Sequence, residues 1–328
     1  MPPIKPIKFR PILKTLLWGG NDIKRLKGLP ETALQIGESW EISDVPGSES
    51  LVAEGDLEGY TFARLLERYG ARLVGKKNLD TYGDRFPLLV KFISADKDLS
   101  VQVHPDDEMA QRIGHRFGKS EMWYVVKANE DAKIYSGFRA PFSPEKLDAT
   151  LSDHSICDYL CEHDTAAGDC FFVPAGRIHS IGGGNLLIEV QQTSDDTFRV
   201  YDYDRTDRHG KKRELHIDLA REALHYDFAE DFRTPYALTP NAPTLLVDCP
   251  EFTVRLHRAD KPVCVDYSTL DSFVIFVAFQ GSARLLDGQG HTISLKAGET
   301  VLFPAENRSV EILPDSHSDF GAIETFIR

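Results

Sequence analysis

Residues 99–104 read Leu-Ser-Val-Gln-Val-His, and the acidic residue Glu121 follows His104 after a short interval. At the two-residue period of a β-strand, the three apolar residues face one way, and Ser100, Gln102 and His104 face the other. A polar row on so apolar a strand needs partners, because burying unpaired polar groups is costly. A set of Gln, His and Glu side chains suits a metal ion together with a polar ligand.

Residues 168–179, which read GDCFFVPAGRIH, supply a second histidine at position 179. His104, Glu121 and His179 then offer two imidazoles and a carboxylate, with Gln102 as a possible amide ligand. This borderline donor set suits Zn²⁺ with one coordination position left open for a substrate. The sequence therefore predicts one zinc ion per chain.

Length and charge set limits on the class of protein. A chain of 328 residues is too long for one ordinary core and indicates two domains or one enlarged β unit. Its net charge of −13 argues against nucleic acid or an anionic membrane surface as a partner. An anionic substrate would need a local basic pocket that works against this overall field. No apolar window reaches the length of a membrane-spanning helix.

The cysteines and the first residues favour a cytoplasmic protein. The five cysteines stand at positions 157, 161, 170, 249 and 264, which is not the spacing of a disulfide framework. Cys157 and Cys161 could share a metal if they lay on one helix, but no second pair accompanies them. We therefore interpret all five as reduced thiols. The opening residues 1–5 contain no apolar signal core.

Several motifs resemble those of a known family. The spacing G-x5-P-x-G-x2-H in residues 168–179 resembles the second motif of cupins, and residues 99–104 resemble the first. The segments QVHPDD at 102–107, KSE at 119–121 and RVYDYDR at 199–205 together resemble type I mannose-6-phosphate isomerases, in particular their short bacterial class. The resemblance extends from Trp18 to the C-terminus. It implies a cupin fold and the zinc-dependent interconversion of mannose 6-phosphate and fructose 6-phosphate through an enediol.

The expected fold is mainly β, with tandem cupin (jelly-roll) barrels, a helical insertion and a few peripheral helices. Residues 1–240 form the predicted catalytic domain, which includes an N-terminal β segment and a helical insertion at about 140–165. Residues 241–328 form the predicted C-terminal barrel, which follows a proline-rich linker at 235–243. Within that barrel the G-x5-P spacing recurs from Gly298, but Ser309 stands where His179 would be. This barrel should therefore bind no metal.

Moving a proton between C1 and C2 of a sugar phosphate requires a base and a group that stabilises the enediolate oxygen. Arg199 is permanently cationic and could stabilise that oxygen or bind phosphate. Asp195 and Glu189 precede it at the same strand parity, so both are candidate bases. By resemblance to the family, the anionic part of the substrate meets a pocket formed by Ser100, Lys91, Lys119 and Arg205. Which of Arg199, Lys119 and Arg205 contacts phosphate stays open at this stage.

Two other functions are compatible with the motifs. One is a different metal-dependent cupin enzyme, an oxygenase or a sugar epimerase; an oxygenase would more usually carry a full H-x-H pair and would not need the basic residues. The other is a non-catalytic cupin that senses sugar phosphates, against which the presence of Arg199 and Asp195 argues. The expected partner is a small sugar phosphate, and the sequence leaves open whether the chain is a monomer or a homodimer.

Overall fold

The computed structural model describes residues 2–32, 34–207, 209–316 and 319–328. The first thirteen strands are β1 (Ile12–Gly20), β2 (Ile36–Ile42), β3 (Asp44–Val45), β4 (Ser48–Glu49), β5 (Leu88–Ser94), β6 (Val101–Val103), β7 (Glu121–Ala128), β8 (Lys133–Phe138), β9 (Leu160–Asp164), β10 (Cys170–Val173), β11 (His179–Ile181), β12 (Asn185–Gln192) and β13 (Phe198–Tyr201). The remaining strands are β14 (Thr244–Asp248), β15 (Thr253–Ala259), β16 (Val263–Asp266), β17 (Val274–Gln280), β18 (Ser282–Asp287), β19 (Thr292–Lys296), β20 (Thr300–Phe303), β21 (Ser309–Pro314) and β22 (Phe320–Phe326). The helices are α1 (Asp22–Lys27), α2 (Phe62–Tyr69), α3 (Ala71–Val74), α4 (Lys76–Tyr82), α5 (Asp107–Arg112), α6 (Pro144–Ser152) and α7 (Ile217–Ala223).

Two antiparallel sheets form the part of the chain that carries the predicted site. One has the strand order β1-β2-β5-β12-β7-β10, and the other has the order β13-β6-β11-β8-β9. The central strands of the first sheet, β5 and β12, are buried along their whole length, which explains why both read as apolar runs. Along β5, Val90 and Phe92 pack into the core that includes α2 and the C-terminal strands, whereas Lys91 and Ile93 line a cavity. This cavity is bordered by residues of both sheets.

A second pair of sheets follows, with the orders β14-β15-β22-β17-β20 and β16-β21-β18-β19. The mainly β architecture expected from the sequence is confirmed. None of the helices in the described ranges is long and apolar enough to cross a membrane. Helix α2 follows Thr61, whose side chain accepts a hydrogen bond from the Arg64 amide at the start of the helix.

The insertion between the two motifs is helical only in part. Residues 142–163 were expected to be helical, but α6 ends at Ser152 and a short 3₁₀ turn covers Ile156–Tyr159. Strand β9 follows at once and pairs with β8, so that expectation is wrong for its last residues. Leu160, Cys161 and His163 are buried. The backbone of this segment forms its hydrogen bonds with the edge of β8 instead of within a helix.

A buried ion pair joins the N-terminal segment to the C-terminal strands. Lys27 Nζ lies 2.8 Å from Glu41 Oε1, and it also donates to the carbonyl of Gly298. Both side chains are more than nine-tenths buried. The Thr300 hydroxyl lies 3.5 Å from Glu41 Oε2. This contact holds β2 against the loop before β20.

Replacing Lys27 with Met should lower the free energy of unfolding by about 3 kcal/mol, because Glu41 would stay buried without its cation. Burial already raises the pKa of Glu41, and Lys27 is the charge that opposes this rise. The measurement is urea denaturation at neutral pH. The control is Lys5→Met, since Lys5 and Asp56 form a loose and exposed pair that contributes little. Equal stability of the two variants would show that the buried pair has no special role.

Candidate metal centre and active site

Three strand ends bring the predicted ligands together. His104 directly follows β6, Glu121 begins β7 and His179 begins β11. Glu121 Oε1 lies 3.3 Å from His179 Nε2, and Glu121 Oε2 lies 3.5 Å from His104 Nε2. One donor atom from each residue lies within 4.8 Å of the others, and all three side chains are buried. The arrangement can hold one metal ion.

Backbone carbonyls orient both imidazole rings. His104 Nδ1 lies 2.7 Å from the carbonyl oxygen of Asp196, and His179 Nδ1 lies 2.8 Å from that of Arg177. A carbonyl only accepts hydrogen bonds, so each Nδ1 carries the proton and donates it. Each Nε2 therefore presents a lone pair toward Glu121, which is the tautomer that metal-binding histidines need.

The carboxylate of Glu121 lacks the hydrogen bonds that a buried carboxylate normally accepts, as expected of a metal ligand. Both of its oxygens are buried, and neither accepts a well-aligned hydrogen bond from any described group. Lys119 Nζ, a positive charge, lies 3.2 Å from Glu121 Oε2 and 3.2 Å from His104 Nε2. A buried carboxylate without full satisfaction is costly unless a cation completes its surroundings. The donor set thus fits a divalent metal.

The side chain of Gln102 lies beside this group, but its amide oxygen points away from the other three ligands. Gln102 Nε2 lies 3.3 Å from His179 Nε2, while Gln102 Oε1 accepts a hydrogen bond from Ser100 Oγ at 3.2 Å. A half-turn of the amide would exchange the two atoms and point the oxygen toward the centre. A fourth-ligand role for Gln102 remains a prediction.

Burial sets the protonation states of the centre. It lowers the pKa of His179 to about 3 and that of His104 well below its usual value, with nearby positive charge adding to the effect at His104. Burial also raises the pKa of Glu121 to about 7, although Lys119 opposes the rise. Both imidazoles are therefore neutral near pH 7, as metal ligands must be, whereas Glu121 still exchanges a proton there.

The metal affinity of the metal-free protein should therefore fall as the pH drops below about 7. A proton on Glu121, whose pKa is raised, must leave before a metal binds, so this group costs about tenfold in affinity for each pH unit below that pKa. Above that pKa, protonation of Glu121 no longer lowers the metal affinity. Competition with a chromophoric chelator across this range measures the effect. A flat profile between about pH 5.5 and pH 7 would contradict it.

A cavity of about 220 Å³ opens next to the centre. Five cations and three carboxylates line it, in a chain whose overall charge is strongly negative. The charged residues are Lys14, Lys91, Lys119, Arg199, Arg213, Glu38, Glu189 and Asp195. The local basic pocket that an anionic substrate would need is therefore present.

One wall of the cavity is a row of paired side chains across four strands. Trp40, Lys91, Glu189 and Trp123 are consecutive cross-strand neighbours on β2, β5, β12 and β7. Lys91 Nζ lies 2.9 Å from Glu189 Oε1, and Trp123 Nε1 donates to Glu189 Oε2 at 2.9 Å. Burial alone would raise the pKa of Glu189, but Lys91, Lys119 and the hydrogen bonds outweigh it and lower that pKa. The carboxylate is held ionised and fixed in position.

Most of the other residues expected at the site line the cavity, and one does not. Ser100, Gln102, Lys119 and Arg199 lie along it, and so does Asp195, which is exposed to solvent. Arg205 lies outside the lining: its guanidinium bonds the Asp98 carbonyl and forms an ion pair with Asp202. The buried carboxylate of Asp202 draws Arg205 away from the cavity.

Sequence reasoning missed several lining residues. Glu38 and Trp40 follow the alternation of β2, which predicts that they share a face but not that this face borders the site. Lys14 reaches the cavity from the edge strand β1, where its Nζ lies 4.4 Å from the centre of the Trp40 ring. Arg213 lies in an irregular segment between β13 and α7, and no sequence pattern marks it.

Known proteins resemble this chain along most of its length. Residues 7–136 match the family model described as phosphomannose isomerase type I, catalytic domain. The chain is 33% identical to mannose-6-phosphate isomerase ManA of Bacillus subtilis over 92% of its length and 93% of that protein. It is 32% identical to the mannose-6-phosphate isomerase of Streptococcus mutans, with 92% of each chain covered.

Solved structures give the same answer. The crystal structure of the mannose 6-phosphate isomerase from Bacillus subtilis matches with a TM-score of 0.85 and 30% identity, covering 98% of this chain and 99% of that one. A putative mannosephosphate isomerase from Archaeoglobus fulgidus matches with a TM-score of 0.78 at 23% identity, which is evidence of the fold alone.

The paired sheets and the buried His–Glu–His group beside a basic cavity define a mainly β enzyme with a site able to hold a metal. Within that class, the extent of its similarity to the curated relatives decides the family. The chain belongs to the type I phosphomannose isomerase family.

Proposed function

We propose that this protein is a zinc-dependent aldose–ketose isomerase that interconverts mannose 6-phosphate and fructose 6-phosphate through an enediol. The observation that carries the proposal is the group His104, Glu121 and His179 beside a cavity with more cations than carboxylates. Two neutral imidazoles with one carboxylate, beside a basic cavity, suit a substrate with adjacent hydroxyl and carbonyl oxygens at one end and a phosphate at the other. The names of the related proteins support the same reaction.

The metal would be held by His104, Glu121 and His179, with Gln102 as the expected fourth ligand, and when bound it supplies Lewis-acid polarisation of the sugar oxygens. The proton between C1 and C2 needs a carboxylate, and Asp195 and Glu189 both border the cavity. Asp195 is exposed near the opening, whereas Glu189 is tied to Lys91 and Trp123. Asp195 is thus the freer of the two candidate bases to approach a substrate.

We further infer that the catalytic unit spans residues 1–240 and that residues 241–328 form a second, metal-free barrel. The strand orders of the two pairs of sheets support this inference, because β15, β22, β17 and β20 follow one another as β5, β12, β7 and β10 do. Ser309 is opposite Asp266, just as His179 is opposite Gln102. Glu121 pairs with Val173, the residue before Pro174. Val274 pairs with Phe303, the residue before Pro304, so Val274 takes the position of Glu121. Ligand types are therefore missing at two of the equivalent positions.

The test combines metal analysis of the purified protein with an assay of mannose 6-phosphate conversion. We expect about one zinc per chain, as a single three-residue site with an open position requires, together with isomerisation in both directions. Zinc-loaded protein that binds the sugar phosphate without converting it would favour the sensor instead. A second stoichiometric zinc that depends on residues around Ser309 would contradict the metal-free barrel.

The substrate would be a small sugar phosphate, and a monomer or homodimer would suffice, because the metal group and the cavity lining come from one chain. All five cysteines are unpaired, which supports a reducing compartment such as the cytoplasm.

A further inference from the structure

Arg213 is a cavity residue that neither the motifs nor the alternation of strands predicts. It lines the same cavity as Arg199, Lys119 and Gln102. Its side chain is about a quarter exposed, so it faces the opening rather than the buried base. Of the cations that line the cavity, it is the one that comes from the segment between β13 and α7.

Asp202 fixes the position of this guanidinium. Arg213 Nε donates to Asp202 Oδ2 at 2.8 Å, and Arg213 Nη2 donates to Asp202 Oδ1 at 2.5 Å. The Asp202 side chain is more than nine-tenths buried, and its Oδ1 atom also accepts a hydrogen bond from Arg205 Nη2. A paired, two-bond contact of this kind holds a guanidinium in one orientation. Among the described residues no hydrogen bond uses Arg213 Nη1, so this edge of the guanidinium is available to a ligand.

The sheet places Arg213 at a distance from the metal group that suits the far end of a sugar phosphate. His179, Gln102 and Arg199 are directly opposite one another on β11, β6 and β13, so their side chains share one face. The segment after Arg213 continues the row: Arg199 Nη1 donates to the Glu214 carbonyl at 3.2 Å, and the His216 amide donates to the Arg199 carbonyl at 2.8 Å. With strands about 4.8 Å apart, Arg199 lies roughly 10 Å from His179 along the sheet, and Arg213 lies beyond it.

The other cations of the lining have contacts of their own, and Lys14 donates to Ser48 Oγ at 2.8 Å and lies over the Trp40 ring. Lys119 contacts Glu121 and His104 at the base, and Lys91 is paired with Glu189. Arg205 is turned out of the cavity. Arg199 lies one strand from Gln102, close to where the reacting carbons of a substrate would be.

We propose, resting on the isomerase function proposed above, that Arg213 binds the phosphate group of the substrate and that Asp202 is its positioning residue. A guanidinium edge matches two phosphate oxygens, and a phosphate monoester carries nearly two negative charges at neutral pH. Arg213 then anchors the substrate by its phosphate, and Arg199 is left to act at the reacting end.

The first test is the Arg213→Gln variant assayed with mannose 6-phosphate. Its KM should rise by roughly 10- to 100-fold, the scale of losing hydrogen bonds to a charged group, while kcat changes by less than about threefold. The matched control is Lys212→Gln, which removes a neighbouring cation that is exposed and paired with Asp204 instead of facing the cavity. Equal KM values for the two variants would overturn the proposal. Asp202→Asn should raise KM in the same direction with zinc content unchanged, because it loosens Arg213 without removing it.

A binding measurement separates this proposal from the proposed function. Calorimetry with zinc-loaded protein compares mannose 6-phosphate with mannose, which lacks only the phosphate. Wild-type protein should prefer the phosphorylated sugar, Arg213→Gln should lose most of that preference, and Arg213→Lys should recover part of it. This result would stand even if the wild-type protein failed to isomerise the sugar. A full preference in Arg213→Gln would overturn the phosphate role, and Arg213→Met serves the same comparison if the glutamine variant does not fold.

Discussion

Replacing His179 with alanine should yield a folded protein that no longer retains its metal and no longer isomerises mannose 6-phosphate. The change removes one of two neutral imidazoles and leaves Glu121 and His104, which are too few ligands for tight zinc binding. Because metal polarisation contributes several kcal/mol to such reactions, turnover should fall by at least about 10³-fold. Metal analysis after dialysis and the isomerase assay measure both effects.

The control for this change is His154→Ala, because His154 is an exposed histidine paired with Asp204 outside the metal group. It should keep about one zinc per chain, the stoichiometry that a single site predicts. Circular dichroism of both variants shows whether the fold is intact. A folded His179→Ala protein that still holds stoichiometric zinc would refute the assignment of His179 as a ligand.

Replacing Arg199 with alanine should lower kcat by about 10²- to 10³-fold, the scale of losing one preorganised electrostatic donor. Arg199 is directly opposite Gln102 in the sheet, and its Nε is buried without a hydrogen-bond partner among the described residues. A desolvated donor beside the metal group should act mainly on charge that develops in the transition state. Zinc content should stay unchanged, because Arg199 is not a ligand.

Comparison with Arg213→Gln makes the Arg199 result specific. The Arg199 change should appear mainly in kcat and the Arg213 change mainly in KM, although both remove a guanidinium from one cavity. If Arg199→Ala raised KM and left kcat as in wild type, Arg199 would be a phosphate ligand and not a transition-state donor. A wild-type protein with zinc but without any isomerisation would defeat the enzyme proposal as a whole.

Residues close together in sequence determined a large part of this protein. The spacing of Gly168, Pro174, Gly176 and His179 is local, and so is the alternation that puts Gln102 and His104 on one face of β6. Both patterns led to the mainly β fold and the family, and the structure brings His104, Glu121 and His179 together. Lys91 is a lone charge in an apolar strand, so its burial requires a partner, and that partner is Glu189.

The tertiary structure alone decided which arginines reach the cavity and which faces border it. Arg205 belongs to a recognisable motif, yet it is turned outward, whereas the unmarked Arg213 is turned inward. Both arginines bind the carboxylate of Asp202. The segment after β13 runs back beside Arg199, and this brings Arg213 to the cavity but not Arg205. Alternation fixes the two faces of a strand, but strand register and long-range ion pairs choose the face that meets a substrate, and these join residues that no local pattern connects.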